Sequence, residues 1–244
     1  MKLSVADSLL SLVFPQDCHI CSNPVAARRD GIACDDCWDS SRIFSVDDQL
    51  CIKCGFPLNA QTGTAAAKCG DCSEHLYTKA FACGVYEAAI AASILELKRV
   101  PIIPGRLENE IRPAFDRASV GDPTVLIPVP LSKKRRAERG FNQAEIIATA
   151  VSRRTGLPID AYSLKRVIHT RMHRAGMDKR ARESTVQNAF KVERPKVIQG
   201  QKVVLVDDVF TSGATASSCA RVLLANGAER VDIFTLARAP RHQG

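Results

Sequence analysis

The sequence predicts an α/β protein with a parallel sheet, preceded by a small module that metal ions hold together. Eight of the ten cysteines lie between positions 18 and 72, in a stretch with few long aliphatic runs. From about residue 81 onward, helical patterns alternate with short β-rich runs, which is typical of βαβ units. The chain has 244 residues and is 45% hydrophobic and 25% charged, which excludes wholesale disorder and fibrous repeats.

We expect three segments along the chain: an amphipathic helix over 1–17, the cysteine module over 18–75 and the α/β domain over 80–244. The cysteine module is rich in small and polar residues, so it cannot build a core of useful size without cross-links or metal ions. No apolar run approaches the roughly 20 residues that cross a bilayer, and no signal peptide is evident, so we expect a cytoplasmic protein.

Elements of the α/β domain follow from hydrophobic periodicity. The run 88–98 places Ile90, Ile94 and Leu97 on one helical face. The further expected elements are a strand over 125–129, a helix over 142–155, a strand over 202–206, a helix over 214–226 that ends at Gly227, and a strand over 230–236. We expect Cys83 and Cys219, the two cysteines outside the module, to be small buried hydrophobes.

Cysteine spacing in the module predicts two structural zinc sites. Each block has two CxxC turns, separated by 12 residues in the first block and by 14 in the second. Two such turns present four thiolates to one tetrahedral Zn²⁺. The ligands are Cys18, Cys21, Cys34 and Cys37 in the first block, and Cys51, Cys54, Cys69 and Cys72 in the second. Disulfides would suit an exported protein, and a redox role is not needed to explain ribbon spacing.

Charge bears on whether the module contacts nucleic acid. Residues 18–72 carry five Lys/Arg and seven Asp/Glu, a net charge of −2, and each zinc with four thiolates adds −2, which gives −6. Such a surface binds phosphate poorly. A structural or lid role is therefore favoured over direct nucleic-acid binding.

The clearest motif lies at the end of the run 203–206, where two carboxylates, Asp207 and Asp208, follow a buried strand. A turn of small residues then opens a helix: Thr211, Ser212, Gly213, Ala214 and Thr215. Ligands of open α/β sheets bind beyond the carboxyl ends of the strands, and a helix N-terminus favours phosphate. The motif predicts a ligand with both a phosphate and a sugar diol. The carboxylates would accept hydrogen bonds from the hydroxyls of the diol.

This motif resembles the signature of type I phosphoribosyltransferases, which bind 5-phosphoribosyl-1-pyrophosphate (PRPP). Phe210 is bulkier than the aliphatic residue expected at its position. The run 127–145, IPVPLSKKRRAERGFNQAE, further resembles the ComF family of competence-associated proteins, and that resemblance covers nearly the whole chain. It implies a parallel-sheet, type I phosphoribosyltransferase-like domain preceded by a small zinc-ribbon module.

The family resemblance also implies roles for residues. PRPP with Mg²⁺ would bind, Asp207, Asp208 and Arg139 would form the catalytic group, and the backbone of Pro130, Leu131 and Ser132 would hold pyrophosphate. Contacts to pyrophosphate or nucleic acid would come from Lys133, Arg135, Arg136, Arg171 and Arg174. Single-stranded DNA and the DNA-uptake machinery are implied partners. The segment 168–185 departs from the family's mobile-loop pattern, which puts its role in doubt.

Basic residues concentrate in one segment. Residues 131–182 carry fourteen Lys/Arg and four Asp/Glu, a net charge of +10 against +8 for the whole chain, so the remainder carries −2. Three accounts fit: neutralisation of a small polyphosphate, a track for a DNA backbone, and a merely solvated surface.

Two functions remain open from the sequence. One is a phosphoribosyl transfer enzyme, whose acceptor is unidentified because the run 237–244 holds no aromatic residue to stack on a base. The other is a protein that handles single-stranded DNA with the same fold. Aromatic residues make up only 5% of the chain, so DNA binding would depend strongly on salt.

Overall fold

A computed structural model of the protein describes 16–26, 30–58, 69, 72, 75–167 and 189–240. The expected N-terminal helix lies outside the described residues except for its last two positions. The segment 168–185, including Arg171 and Arg174, also lies outside them.

A parallel four-stranded sheet forms the centre of the protein, which confirms the predicted α/β class. Its order is β1-β6-β5-β2, and every pairing in it is parallel. The strands are β1 (Ala80–Val85), β2 (Val125–Pro128), β5 (Lys202–Phe210) and β6 (Arg230–Arg238). A separate antiparallel pair consists of β3 (Leu164–Arg166) and β4 (Phe190–Val192).

Helices surround the sheet. Their bounds are α1 (Asp35–Asp39), α2 (Ala88–Glu96), α3 (Gly105–Asn109), α4 (Ile111–Ala118), α5 (Lys133–Arg139), α6 (Gln143–Thr155), α7 (Pro195–Ile198) and α8 (Ala214–Ala225). The predicted apolar face of α2 is confirmed, because Ile90, Ile94 and Leu97 are all buried. Among the described helices, none has the length and apolar character that a bilayer crossing requires.

Strand β5 divides the core into two faces because successive side chains of a strand point to opposite sides. Val204 and Val206 belong to the cluster formed with α2, α4 and α6, and Val203 and Leu205 to the cluster formed with α8. Cys83 packs in the first cluster and Cys219 in the second, both buried as expected. The alternation sends the two side chains that follow Val206 to opposite faces of the sheet.

Two boundaries differ from the sequence prediction. Strand β5 continues past the expected end at Val206, because Asp207 to Phe210 go on pairing with β6 as far as Arg238. Strand β1 was not predicted, since its sequence AFACGV has little β-branched character. All six residues of β1 are buried, so tertiary packing rather than local propensity makes it a strand.

Candidate functional site

Two loops meet at the carboxyl edge of the sheet. Strands β2 and β5 are neighbours, and the Val129 N–H donates to the carbonyl oxygen of Val206 at 2.9 Å. The residues after β2, Pro130 to Ser132, therefore lie beside the acidic pair at the end of β5. Both predicted ligand loops, distant in sequence, share one edge.

Asp208 lies in a small polar network on one face of the sheet. Its Oδ2 is 3.8 Å from the Lys98 ammonium nitrogen and accepts a hydrogen bond from Gln143 Nε2 at 3.4 Å. Gln143 in turn accepts from Arg139 at 2.8 Å. Arg139 thus contacts the acidic pair through Gln143, and the catalytic role predicted for it stays a prediction.

Asp207 has a different environment on the opposite face. Burial, and then the neighbouring Asp208 carboxylate, raise the pKa of Asp207 well above its ordinary value, while Lys98 acts against the shift. Asp207 also favours the charged form of Arg166, whose pKa is nevertheless lowered by burial and by the nearby Arg135. The two carboxylates therefore point to opposite faces of the sheet and meet different partners, and burial raises the pKa of Asp207.

The turn before α8 is tightly packed around a glycine. Gly213 has φ +78° and caps α8, and the side chains of Thr211 and Ser212 are exposed. A Cβ on Gly213 would lie 2.7 Å from the Phe210 ring and 3.0 Å from His75 Nε2. Glycine is required here both for its left-handed backbone and for the close packing of those rings. Ala214 and Thr215 begin the helix, where backbone N–H groups lack intrahelical partners.

Short-range capping shapes the second loop. Buried Ser132 caps α5, its hydroxyl accepting a bond from the Arg135 N–H at 3.4 Å. Buried Asn142 caps α6, and its side chain donates to the carbonyl oxygen of Val129 at 3.1 Å. These contacts explain why the Arg139–Gln143 element follows this strand: it holds the loop in shape.

Cations of α5 fall into two groups. Arg136 forms an ion pair with Glu145 at 2.6 Å, which engages it away from the loop. Lys133 and Arg135 form no ion pair within the described part of the chain.

Two four-cysteine clusters form as the spacing predicts, and each fits one tetrahedral zinc ion. Within each cluster the sulfur atoms all lie within 4.8 Å of one another. Nearest pairs are 3.3–3.7 Å apart, close to the ~3.8 Å between ligands of a tetrahedral Zn²⁺ with Zn–S bonds of ~2.3 Å. All ten cysteines are free, which is contrary to the disulfide alternative.

Thiol pKa values spread apart within each cluster. Although burial acts against it, backbone N–H groups lower the pKa of Cys18 and of Cys51 to about 6. Burial and neighbouring thiols raise the pKa of Cys37 and Cys72, and burial with Cys69 raises that of Cys54 to about 11. Several thiolates this close need a bound cation to ionise together.

Sequence reasoning missed five residues around the acidic pair and the turn. They are Lys98, Gln143, Arg166, His75 and Arg238. Gln143 lies inside the family motif, so its position was a signal. The others reach the site only through tertiary packing, and no local pattern marks them.

Comparisons with known proteins agree with this architecture. A model of the double zinc ribbon domain matches residues 9–85, and one of the phosphoribosyl transferase domain matches 137–244. The DNA utilization protein YhgH of Shigella flexneri is 31% identical over 93% of this chain and 99% of its own length. Competence protein ComFC of Bacillus subtilis is 26% identical, covering 83% of this chain and 89% of that protein.

Two further similarities cover less. Competence protein F of Haemophilus influenzae is 36% identical over 48% of this chain and 51% of its own length. The glutamine PRPP amidotransferase of B. subtilis aligns over 60% of this chain and 26% of that structure, with 20% identity and a TM-score of 0.34. The match to YhgH over nearly its full length, with both domain models, shows that the chain belongs to the ComF family, in which a double zinc ribbon precedes a phosphoribosyltransferase-like domain.

Proposed function

We propose that this protein binds PRPP, or another ribose 5-phosphate ligand, at the carboxyl edge of β5 and acts in DNA utilisation or uptake. One observation carries the ligand assignment: the acidic pair, the glycine turn before α8 and the loop after β2 meet at that edge. The names of the relatives, which refer to DNA utilisation and competence, support the cellular role.

Each part of the edge has a chemical task. Asp207 and Asp208 would accept hydrogen bonds from the ribose hydroxyls, and the N–H groups of the turn 211–215 would hold the 5′-phosphate. The backbone of 130–132 would hold pyrophosphate, and Lys133 and Arg135 would balance its charge. Mg²⁺, bound with the pyrophosphate, would supply further neutralisation of the leaving group.

The alternative is an active transferase with no DNA role. An amine or base nitrogen would form a bond to ribose C1 while the C1–O bond breaks and pyrophosphate leaves with the electron pair. The position of Asp208 at this edge supports this possibility, because a carboxylate beside the ribose would stabilise the positive charge that develops on it. The acceptor could be identified by testing which compound makes the protein release pyrophosphate from PRPP.

Calorimetric titration with Mg–PRPP tests the site. Asp207→Asn with Asp208→Asn removes two carboxyl acceptors, whose hydrogen bonds are worth about 1 kcal/mol or more each, so affinity should fall by about 30-fold or more. Asp116→Asn is the matched control, because Asp116 is exposed on α4 and pairs only with Arg112 among the ion pairs of the described residues. Undiminished affinity in the double variant would falsify the site.

A surface on β3 and β4 supports contact with single-stranded DNA. Tyr162 is 67% exposed, with the Lys165 nitrogen 5.6 Å and the Arg194 guanidinium 5.2 Å from its ring centre. Lys165 lies opposite Lys191 on the paired strand, where Lys191 also forms an ion pair with Glu193 at 3.0 Å and Arg194 one with Asp160 at 2.5 Å. A base can stack on an exposed ring while cations bind the backbone. This exposed tyrosine offers a stacking position despite the low aromatic content.

Fluorescence anisotropy of a labelled single-stranded oligonucleotide tests the DNA role. Binding should weaken steeply between about 50 mM and about 200 mM salt, because cations displace counterions from the backbone. Lys165→Ala with Lys191→Ala should reduce DNA affinity and leave Mg–PRPP affinity unchanged. Arg112→Ala is the control: this exposed side chain of α4 lies elsewhere, and its loss should change neither affinity. Displacement of DNA by Mg–PRPP would show that the two ligands share a site. Absence of binding at the lower salt would leave the small-ligand role alone.

A further inference from the structure

Arg238, the last residue of β6, joins three parts of the molecule. It is 93% buried, and its Nε donates to the carbonyl oxygen of Cys54 at 3.2 Å. Its Nη1 donates to the carbonyl oxygens of Phe210 at 2.9 Å and Thr211 at 2.7 Å. One guanidinium thus bonds both a zinc-ligand residue and the first residues of the ligand turn.

Aromatic packing reinforces this junction. The Arg238 guanidinium lies 4.7 Å from the Phe210 ring centre. The Phe210 ring also meets the Tyr77 ring edge-on, with the two ring centres 5.8 Å apart. Tyr77 stacks on His75 at 5.2 Å, and His75 approaches Gly213. Phe210, the bulky departure from the phosphoribosyltransferase signature, is therefore the residue that packs the turn against the ribbon.

The second cluster is also anchored at the start of β1, away from Arg238, because Ala80 pairs with Ile233 of β6. The Ala80 N–H donates to the carbonyl oxygen of Lys53 at 2.8 Å, and the Lys53 ammonium donates to that of Tyr77. A Cβ on Gly55 would lie 2.8 Å from the carbonyl oxygen of Ala80. The knuckle 51–55 and the start of β1 fit together too tightly for one to move without the other.

The direction of these bonds matters for the turn. Arg238 takes the carbonyl groups of Phe210 and Thr211 on the protein side. The Phe210 carbonyl oxygen also accepts from the Ala239 N–H at 2.9 Å, and the first N–H groups of α8, after the Gly213 cap, lack intrahelical partners. A turn without Arg238 would sample other orientations, and the ligand would have to order it on binding.

We propose that Arg238 is a positioning residue that couples the second four-cysteine site to the ligand turn, so that metal in that site holds the turn in its binding conformation. The effect on PRPP rests on the proposed function, whereas the effect on the turn does not. Loss of the metal would release the Cys54 knuckle, and with it one of the partners that fixes the guanidinium.

Hydrogen–deuterium exchange of the peptide 209–216 is the first test, because it needs no ligand. In the zinc-loaded full chain, Arg238→Met should speed exchange of this peptide by about tenfold or more, as a loss of ordering bonds requires. Arg117→Met is the matched control: Arg117 is also partly buried and donates to two carbonyl oxygens, those of Phe44 and Ala82, at 2.8 Å each, away from the turn. It should leave the peptide unchanged.

Removing zinc from the wild-type chain with a chelator should speed exchange of the same peptide. In Arg238→Met, where the peptide already exchanges fast, zinc removal should increase its exchange rate little further. Phe210→Leu, which keeps the guanidinium, gives an intermediate result and covers the case in which Arg238→Met does not fold. Arg238→Lys should restore the turn only in part, because ammonium cannot bond three carbonyls in the plane of a fork. Unchanged exchange in both Phe210→Leu and the zinc-free wild type would overturn the proposal.

Calorimetry with Mg–PRPP separates the two proposals. If wild type binds PRPP, Arg238→Met should weaken it by about tenfold or more with two zinc ions still bound, and Arg117→Met should not. If wild type does not bind PRPP but the exchange results hold, the proposed function fails and the coupling stands. Equal PRPP affinity in wild type and a folded Arg238→Met would contradict the coupling.

Discussion

The two zinc ribbons share a ligand pattern but differ in what they touch. In the first ribbon, carboxylate oxygens of Asp30 and Asp39 each lie 3.5 Å from a guanidinium nitrogen of half-buried Arg106. Gly31 packs on Pro104. In the second ribbon, Cys54 bonds buried Arg238, and the residues that follow Cys72 pack on the ligand turn. The first is therefore attached beside α3, and the second at the ligand edge.

This difference shows that a sequence repeat does not imply a repeated role. Each ribbon is too small to form a core alone. Metal binding would therefore contribute to the folding free energy of both ribbons. Only the second passes that rigidity to the turn 211–215, and the residue that transmits it belongs to β6. Position relative to the sheet edge, rather than the cysteine motif, sets the role.

The largest expected effect comes from breaking one cluster at a time. Cys54→Ser should release the second zinc and weaken Mg–PRPP binding by about tenfold or more, as Arg238→Met does, because the knuckle that fixes Arg238 is lost. Cys21→Ser, at the exposed cysteine of the first cluster, should release one zinc but leave PRPP affinity within about threefold. Elemental analysis and calorimetry measure both. Equal loss of affinity in the two variants would contradict the division of roles.

Gly213→Ala tests the packing of the second ribbon on the turn. The new Cβ would meet Phe210 and His75, and the left-handed backbone adds strain, so unfolding free energy should fall by about 2–3 kcal/mol. Gly156→Ala has the same φ of +78° with nothing within 4 Å, and should cost only about 1 kcal/mol. Urea unfolding measures the difference, and equal costs would show that the packing contributes nothing.

Acidification should weaken both ribbons alike. Backbone N–H groups, acting against burial, hold the pKa of Cys18 and Cys51 at about 6, below the ordinary thiol value. Above that pH these thiols are already ionised, whereas below it zinc must displace one more proton from each cluster. Below about pH 6, the zinc affinity of each cluster in the metal-free chain should therefore fall by a further factor of about ten per pH unit, compared with its pH dependence above pH 6. A competition titration with a zinc indicator tests it; an unchanged slope would contradict this assignment.

The smallest expected effect is at the first ribbon's attachment. Arg106→Ala removes ion pairs with buried Asp30 and exposed Asp39, so unfolding free energy should fall by about 1–2 kcal/mol, and PRPP affinity should not change. Thermal unfolding and calorimetry give both numbers. A clear loss of PRPP affinity would mean that the first ribbon also reaches the ligand edge.

The local parts of the site were predictable from sequence, and the long-range parts were not. Asp207, Asp208 and the glycine turn lie within nine residues, so strand, acids and helix start leave one continuous pattern. Lys98 and Arg238 reach the same edge from other elements, and no periodicity predicts that two distant cations converge. Their positions follow from strand order, which local sequence does not encode.

Fold elements divide in the same way. Apolar faces such as that of α2, and the buried strands β2, β5 and β6, have strong periodic or β-branched signals. Strand β1, with small side chains, and the short antiparallel pair β3–β4 depend on neighbours that the sequence does not reveal. The extension of β5 to Phe210 likewise depends on its register with β6.

The most direct test of the account is a map of hydrogen–deuterium exchange over the zinc-loaded chain, with and without saturating Mg–PRPP. We expect protection in two places, the turn after Asp207 and the segment 75–80 at the end of the second ribbon, and none in the first ribbon over 18–37. Protection that is absent from the turn, or equal in both ribbons, would contradict the account.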